Sequence, residues 1–532
     1  MVSSCNNGPV IAIGLDGAEP TLIQRWMEES KLPVLRQLQR EGCWGFLNRD
    51  GDLFSENVWP DFLTGVGASH HGMIAWAQLK SGTYDVEATD AETVFRNQLP
   101  FYARLSRPDR RVIIVDVPKT RPVERLNGVQ VCAWGAHSHV FRPSSLPIDV
   151  YGEIEARFGI YSIRDKDEDD RTDVEYFQEL LDGVRTGPER RARMCAYLLD
   201  KHGPADLLLT VFSEPHTVGH RFWHFMDKTH PHYDPSAPAA FKTAVLDSYQ
   251  ACDRAIGVLL EAVPKNSTVI VFTIHGMAHN SHDIPSMFLL PVFMHRFNFP
   301  DSARVDVHAQ GGFIQKVRER VPIALRNAVK HRLPLPLRAY VHMKRVGQFM
   351  ECEGWPRMKA FTLPSASCGY IRLNLKGRDP NGIVEPRDYD LICENLTQEL
   401  MTLTEPGSGR PAVTKVHRRR ETHRGPFGEQ IMPDLFVEWA DLQIESLYSP
   451  RFGDLGYMRA ERAASHRPRG MFLARGAGLP VDQRIEGGNA RDLTPTLMSW
   501  MDEPIPTGME GRVLIYPRLT RSETSATAIH PM

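Results

Sequence analysis

Cysteine is scarce in this chain: eight residues among 532, at positions 5, 43, 132, 195, 252, 352, 368 and 393, with no CxxC spacing. That excludes a disulfide scaffold and a cysteine-built zinc knuckle, and it suits a reducing compartment. Excess charge of one sign is also missing. Lys+Arg 63 against Asp+Glu 65 leaves a net charge of −2, so nothing draws the whole molecule to nucleic acid or to an anionic membrane. Long apolar runs are absent too. Stretches such as Val269 to Phe272 fall far short of the roughly 20 residues that cross a bilayer, and no membrane span is expected. The opening MVSSCNNGPVIAIGLDG has no basic segment leading into an apolar one. No secretory leader is read there, and a cytoplasmic location is expected.

What is present is enough to bury a core: 42% hydrophobic and 24% charged residues, a balance that excludes wholesale disorder. At about 150 residues per domain, the length fits three or four units or one large α/β core with insertions. The pattern favours the core. Pro9 to Gly14 is a short β-branched run closed by a turn at Leu15-Asp16-Gly17, and a helical pattern follows from Thr21 to about Arg40, broken at Pro33. Arg111 to Asp116, Asp206 to Phe212, Ser267 to Thr273 and Pro433 to Glu438 read as further strands, with a helix from about Phe241 to Val263. Strand, polar loop and helix in alternation make a parallel α/β sheet, and ligands bind outside the carboxyl ends of its strands.

Three segments read as insertions. Asp165 to Asp173 (DKDEDDRTD) is a solvated charge cluster. Lys316 to Arg345 carries nine Lys/Arg against one Glu, interleaved with apolar residues, and reads as a lid or surface helix, with a partner or membrane surface as the alternatives. Trp355 to His423 mixes strand and helix signals, and the Ser/Thr-rich tail after Pro517 is expected to fray.

The one unusual count is 21 histidines. Several stand just after the predicted strands: His216 and His220 in SEPHTVGH, His275 in IHGM, and His466 in SHRPRG, while Asp16 closes the first strand. On a helix, His216 and His220 at i, i+4 share one face, a common way to chelate Zn²⁺. Ser55 opens SENVWPDFLTG as the expected start of a helix that buries Trp59, Phe62 and Leu63. A hydroxyl there lies among free backbone N–H groups and the positive end of the helix dipole, where it can meet phosphate or ionise, or it can serve as a plain N-cap. Asn57, His137, Arg221 and Arg467 are candidate substrate contacts, the arginines through bidentate binding of phosphate oxygens.

Taken together, these motifs resemble the alkaline phosphatase superfamily in its type I phosphodiesterase/nucleotide pyrophosphatase branch. The opening GLDGAEPTLIQRWMEESKLPVLRQLQREG, then SENVWPDFLTGVGASHHGM, FSEPHTVGHRFW with VIVFTIHGM, YIRLNLKGRDP, and PDLFVEW followed by HRPRGMFLARGAGLP and DLTPTLMSWMDEPIPTGMEGRVL carry the match from about residue 9 to 516. The resemblance implies a three-layer α/β sandwich with a mostly parallel central sheet. Its core would span residues 9–285 and 431–516, with a cap inserted at 286–430 and a tail at 517–532. It further implies a hydrolase of small phosphate esters with one or two divalent metal ions, usually zinc. Asp16, His220, His275 and His466 would be ligands, and Ser55 the nucleophile that becomes phosphorylated.

The chain departs from that pattern twice. The family usually has Asp where His216 stands, and Asp immediately before the HGM histidine, where this chain has Ile274. The first change keeps a ligand but removes an anion, and the second removes a ligand, so a mononuclear or altered site is expected. Asp283, His279 or His282 in HGMAHNSHD could replace the lost donor. The alternative function is a degenerate member that binds a phosphorylated ligand or partner without turnover. A sulfatase is disfavoured, because Ser55-Glu-Asn-Val-Trp lacks the C/S-x-P-x-R pattern.

Overall fold

The computed structural model describes residues 8–48, 57–89, 91–105, 108–135, 143–164, 166, 171–301, 350, 352–419, 425–460 and 462–517. Ser55, His137, the basic segment 316–345, most of the acidic cluster and the tail lie outside the described residues.

Among the described residues nine strands form the central sheet: β1 (Val10–Leu15), β2 (Cys43–Asn48), β3 (Val112–Val115), β4 (Gly128–Cys132), β5 (Ser144–Leu146), β6 (Leu207–Phe212), β7 (Thr268–Thr273), β10 (Arg469–Arg475) and β11 (Gln483–Gly488). Two more, β8 (Gly276–His279) and β9 (Ala464–Arg467), pair as a separate antiparallel ribbon. The order across the sheet is β11-β2-β10-β7-β1-β6-β3-β4-β5. β7, β1, β6, β3 and β4 are parallel neighbours, while β10 and β5 run against the strands beside them.

The central strands are continuous apolar runs because both of their faces are covered. Along β1, Ile11, Ile13 and Leu15 join one buried cluster and Val10 and Ala12 the other, as the alternation of strand side chains requires. The first cluster is closed by α1 (Pro20–Glu28), α3 (Val174–His202), α4 (Glu214–Met226) and α5 (Ala239–Ala262), through residues such as Trp26, Leu180, Phe222 and Tyr249. The second is closed by α2 (Val58–Thr64) and the helix Leu493–Trp500, through Trp59, Phe62 and Leu497. This is a three-layer α/β sandwich with a mostly parallel sheet.

Local signals explain the boundaries. The helical pattern after β1 is two helices, Pro20–Glu28 and Pro33–Glu41, with Ser30 in the left-handed region between them. Each starts with proline, which lacks the N–H that a first helical turn cannot use. Asp173 caps α3 by accepting from the Tyr176 amide at 2.9 Å.

One strand lies elsewhere than the sequence reading put it. The run at Pro433 to Glu438 forms a strand, Leu435–Trp439, but it pairs antiparallel with Gly369–Leu373 and Val413–Arg418, away from the central sheet. Ala360–Leu363 completes that four-stranded sheet, and residues 404–457 contribute a second antiparallel sheet beside it. Antiparallel pairing therefore runs on to Tyr457, well past 430, before the chain returns to the core at the ribbon strand β9. Among the described residues no helix is long and apolar enough to cross a membrane.

Candidate active site

The order β7-β1-β6 places three carboxyl ends side by side. Asp16 follows β1, and its backbone N–H donates to Phe212 O at 2.9 Å. His275 follows β7 by two residues, and α4, which carries His216 and His220, starts two residues beyond β6. The ribbon brings in the last member, because β9 lies against β8 with His466 opposite Met277. Gly17 makes the close approach possible: its φ is +65°, and a Cβ there would stand 3.1 Å from His216 Cα.

Five side chains gather in this way. Ring nitrogens of His216, His220 and His466 lie within 4.8 Å of one another, with His216 Nε2 3.3 Å from His220 Nε2. His466 Nδ1 is 3.1 Å from His275 Nδ1, and His275 Nε2 is 3.1 Å from Asp16 Oδ1. The chain of contacts thus runs from Asp16 through His275 to the three-histidine cluster. Trp59, on α2, donates its indole N–H to Asp16 Oδ1 at 2.9 Å.

The electrostatics suit a cation. Burial would raise the Asp16 carboxyl, but His216, His275 and the Trp59 indole outweigh it and hold the group well below the usual carboxylate range. Burial, reinforced by His275, His220 and His216, pushes His466 well below the ordinary imidazole range. A neutral ring has a lone pair to offer. His220 Nδ1 donates to Ala464 O at 2.7 Å, so in the neutral ring it is Nε2 that offers its lone pair toward the cluster, the arrangement usual for a ligating histidine. The donor set therefore fits a divalent ion: three imidazoles together, with one carboxylate and one imidazole beside them.

The other residues named from sequence sort differently. Ile274 is buried in the apolar cluster with Val58, Trp59 and Phe272. Asp283 accepts from Asn280 Nδ2 at 3.0 Å, burial pushes its carboxyl up to about 6, and it stands outside the three-histidine cluster. His282 Nε2 donates to His466 O at 2.8 Å and its Nδ1 lies 2.9 Å from Ser281 Oγ, so it braces a cluster histidine through the backbone. His279 faces Asp441 at 3.3 Å.

Arg467 is spent on protein partners. Its Nη2 donates to Asp441 at 2.7 Å and to His279 O at 2.9 Å, and its Nη1 donates to His466 O at 3.3 Å. Arg221 donates to Arg171 O at 2.6 Å. Asn57 is the N-cap residue of α2 and donates to Asp61 Oδ1 at 3.0 Å, and its buried Oδ1 has no hydrogen-bond partner among the described residues. The helix expected to open at Ser55 thus begins at Val58 among the described residues.

Sequence reasoning missed three residues. Trp59 read only as core, yet it orients Asp16. Asp116 and Glu214 stand just past β3 and β6, where strand-end reasoning directs attention, and both bind Arg191.

The three-layer sandwich, with polar side chains gathered at its strand ends, is an alkaline-phosphatase-like fold. The chain belongs to the type I phosphodiesterase / nucleotide pyrophosphatase family, whose profile matches residues 10–458. No curated protein matches it by sequence. Among solved structures, wild-type alkaline phosphatase PafA is similar at a TM-score of 0.52 and 13% identity, with 95% of this chain and 98% of that one covered. Murine ectonucleotide pyrophosphatase / phosphodiesterase 5, an inactive form in complex with AMP, matches at a TM-score of 0.47 and 13% identity over 94% and 96% of the two chains. Phosphonoacetate hydrolase from Sinorhizobium meliloti 1021, in complex with phosphonoformate, matches at 0.47 and 12% over 93% and 96%.

Proposed function

We propose that this protein is a metal-dependent hydrolase of small phosphate esters, diesters or monoesters, with Ser55 as nucleophile. The observation that carries the reading is the convergence of His216, His220 and His466 beside the Asp16–His275 pair, at the strand ends of a phosphodiesterase-family fold. A divalent ion held there, zinc by its donor set, would polarise the phosphoryl group and lower the pKa of an oxygen nucleophile. His216, His220 and His466 would hold it, and Asp16 and His275 are the remaining donors nearby. In the proposed reaction the Ser55 hydroxyl oxygen attacks phosphorus and gives up its proton, the ester oxygen leaves and takes up a proton as the alcohol, and water then cleaves the phosphorylated serine, which releases phosphate from a monoester or a phosphomonoester from a diester. Trp59 keeps Asp16 turned toward His275, and His282 holds the backbone of His466.

Ile274 favours one firmly held ion over two, since it contributes no donor and packs into the apolar layer. The same residue supports the second reading, a member that binds a phosphorylated ligand without turnover. Metal analysis of the purified protein, together with turnover of an aryl phosphodiester and an aryl phosphomonoester, separates the two. About one zinc per chain is expected, with activity lowered by several orders of magnitude in Ser55→Ala while the fold is retained. Metal-free protein that turns over neither ester, with Ser55→Ala indistinguishable from wild type, would sink the enzyme reading.

A further inference from the structure

Behind α4 lies a group of charges that the reaction above does not use. Arg191, on α3, is fully buried between two fully buried carboxylates. Its Nε and Nη2 donate to Asp116 Oδ2 at 3.0 and 2.9 Å, and its Nη1 donates to Glu214 Oε1 and Oε2 at 2.8 and 2.9 Å. Tyr161 adds a hydroxyl to Glu214 Oε1 at 2.9 Å, and the Gly135 amide donates to both oxygens of Asp116. Ser213 Oγ donates in turn to Gly135 O.

The placement is specific. Asp116 is the first residue past β3 and is held in the left-handed region at φ +60°, Gly135 follows β4, and Glu214 is the first residue of α4. His216 and His220 stand two and six residues further along that helix. A buried ion group of this kind gains little stability over apolar packing, because desolvation cancels most of the attraction. What a guanidinium gripping two carboxylates does supply is direction, since its planar fork fixes the angle at which each partner sits.

We propose that Arg191 is a positioning residue for the histidine centre. By holding Glu214 against Asp116 it sets the first turn of α4, and with it the directions in which His216 and His220 meet His466. This rests on the reading of those histidines as metal-holding.

Cobalt(II), whose visible absorption reports ligand geometry, tests both levels on the purified full chain after chelation. Wild type is expected to bind one Co(II) with an intense tetrahedral-type spectrum. Arg191→Lys keeps the charge but cannot grip both carboxylates, and Glu214→Gln keeps the shape but weakens the hold on Arg191. Each is expected to retain wild-type circular dichroism, to bind Co(II) about 10- to 100-fold more weakly and to show an altered spectrum. Arg372→Lys, at the equally buried pair with Asp379 in the inserted region, is the control: it should melt earlier with an unchanged cobalt spectrum. Wild-type affinity and spectrum in Glu214→Gln and in a folded Arg191→Lys would overturn the proposal. So would an equal spectral change in Arg372→Lys. If Arg191→Lys does not fold, Glu214→Gln decides alone. A wild-type protein that takes up no Co(II) overturns the metal reading itself, and this proposal with it.

Discussion

Asp16 is the one carboxylate among the five side chains of the centre, and its orientation comes from a tryptophan on a different layer of the sandwich. The Trp59 indole donates to Asp16 Oδ1 at 2.9 Å while its ring packs against Phe62 and Phe272. Trp59→Phe keeps most of the packing and removes the donor. A hydrogen bond to a charged group contributes about 1.5–3 kcal/mol, and a loss of about 2 kcal/mol is expected in the unfolding free energy from urea titration, with weaker metal binding. Unchanged stability and metal uptake would mean that Asp16 is oriented by His275 alone. Ile274 offers the complementary test. Ile274→Asp places a carboxylate in the apolar cluster, and the metal-free protein should lose more than about 2 kcal/mol. If the family's usual aspartate is what a second ion needs, excess zinc will restore stability and bring the metal content toward two per chain. A content that stays at one would locate the obstacle in His216 or in the surrounding packing.

At the scale of elements, the centre depends on how helices dock on the sheet. The helix Pro33–Glu41 has no side-chain cap of its own. Its first turn is closed by Asp253 of α5, which accepts from the Val34 and Leu35 amides at 3.1 and 2.9 Å. Burial outweighs those amides and pushes the Asp253 carboxyl up to about 6, from an unfolded value near 3.8. A raised carboxyl binds its proton more tightly in the folded state. Its contribution is therefore full below about pH 4 and is lost as pH rises through about 6, an effect of about 3 kcal/mol. Urea midpoints measured from pH 4 to 7 should show this decline, and Asp253→Asn should make it shallower, with Asp283, whose carboxyl burial also raises to about 6, supplying the remainder. An identical slope in the variant would show that the group titrates alike in both states. The same docking logic limits what a sequence discloses about helices: the split at Pro33 is legible from proline alone, but the residue that caps the second helix lies 219 positions away from Val34.

For the whole molecule, the centre joins parts of the chain that are otherwise separate. Asp16, His216 and His275 follow three strand ends of the central sheet, while His466 lies within the ribbon β8–β9, which ties the return of the chain to the core. An ion held there links these segments in the folded state only, so it stabilises by mass action: about 2.7 kcal/mol when free metal is 100 times its Kd. A chelator should lower the melting temperature, and zinc should restore it in a concentration-dependent way. The His466→Ala variant should melt at one temperature whether or not zinc is present. A wild-type melting temperature indifferent to chelator and zinc would count against any ion that couples these segments.

The sequence by itself determined the strands and what stands at their ends. Continuous apolar runs such as VIAIGL and TVIVFT can be stable only with both faces covered, which announces a parallel sheet, and polar residues directly after them mark its carboxyl edge. Asp16, His216, His220 and His275 were legible for that reason. Tertiary structure alone decided the partnerships. Leu435–Trp439 has the same apolar pattern whichever sheet it joins, and only hydrogen-bond pairing assigned it to the antiparallel one. Trp59 meets Asp16 across 43 residues, and Arg191 meets Asp116 across 75. Local pattern records which residues must be buried, not which buried neighbour each will meet. That choice is made by the packing of distant segments, and it turns a set of strand-end histidines into one centre.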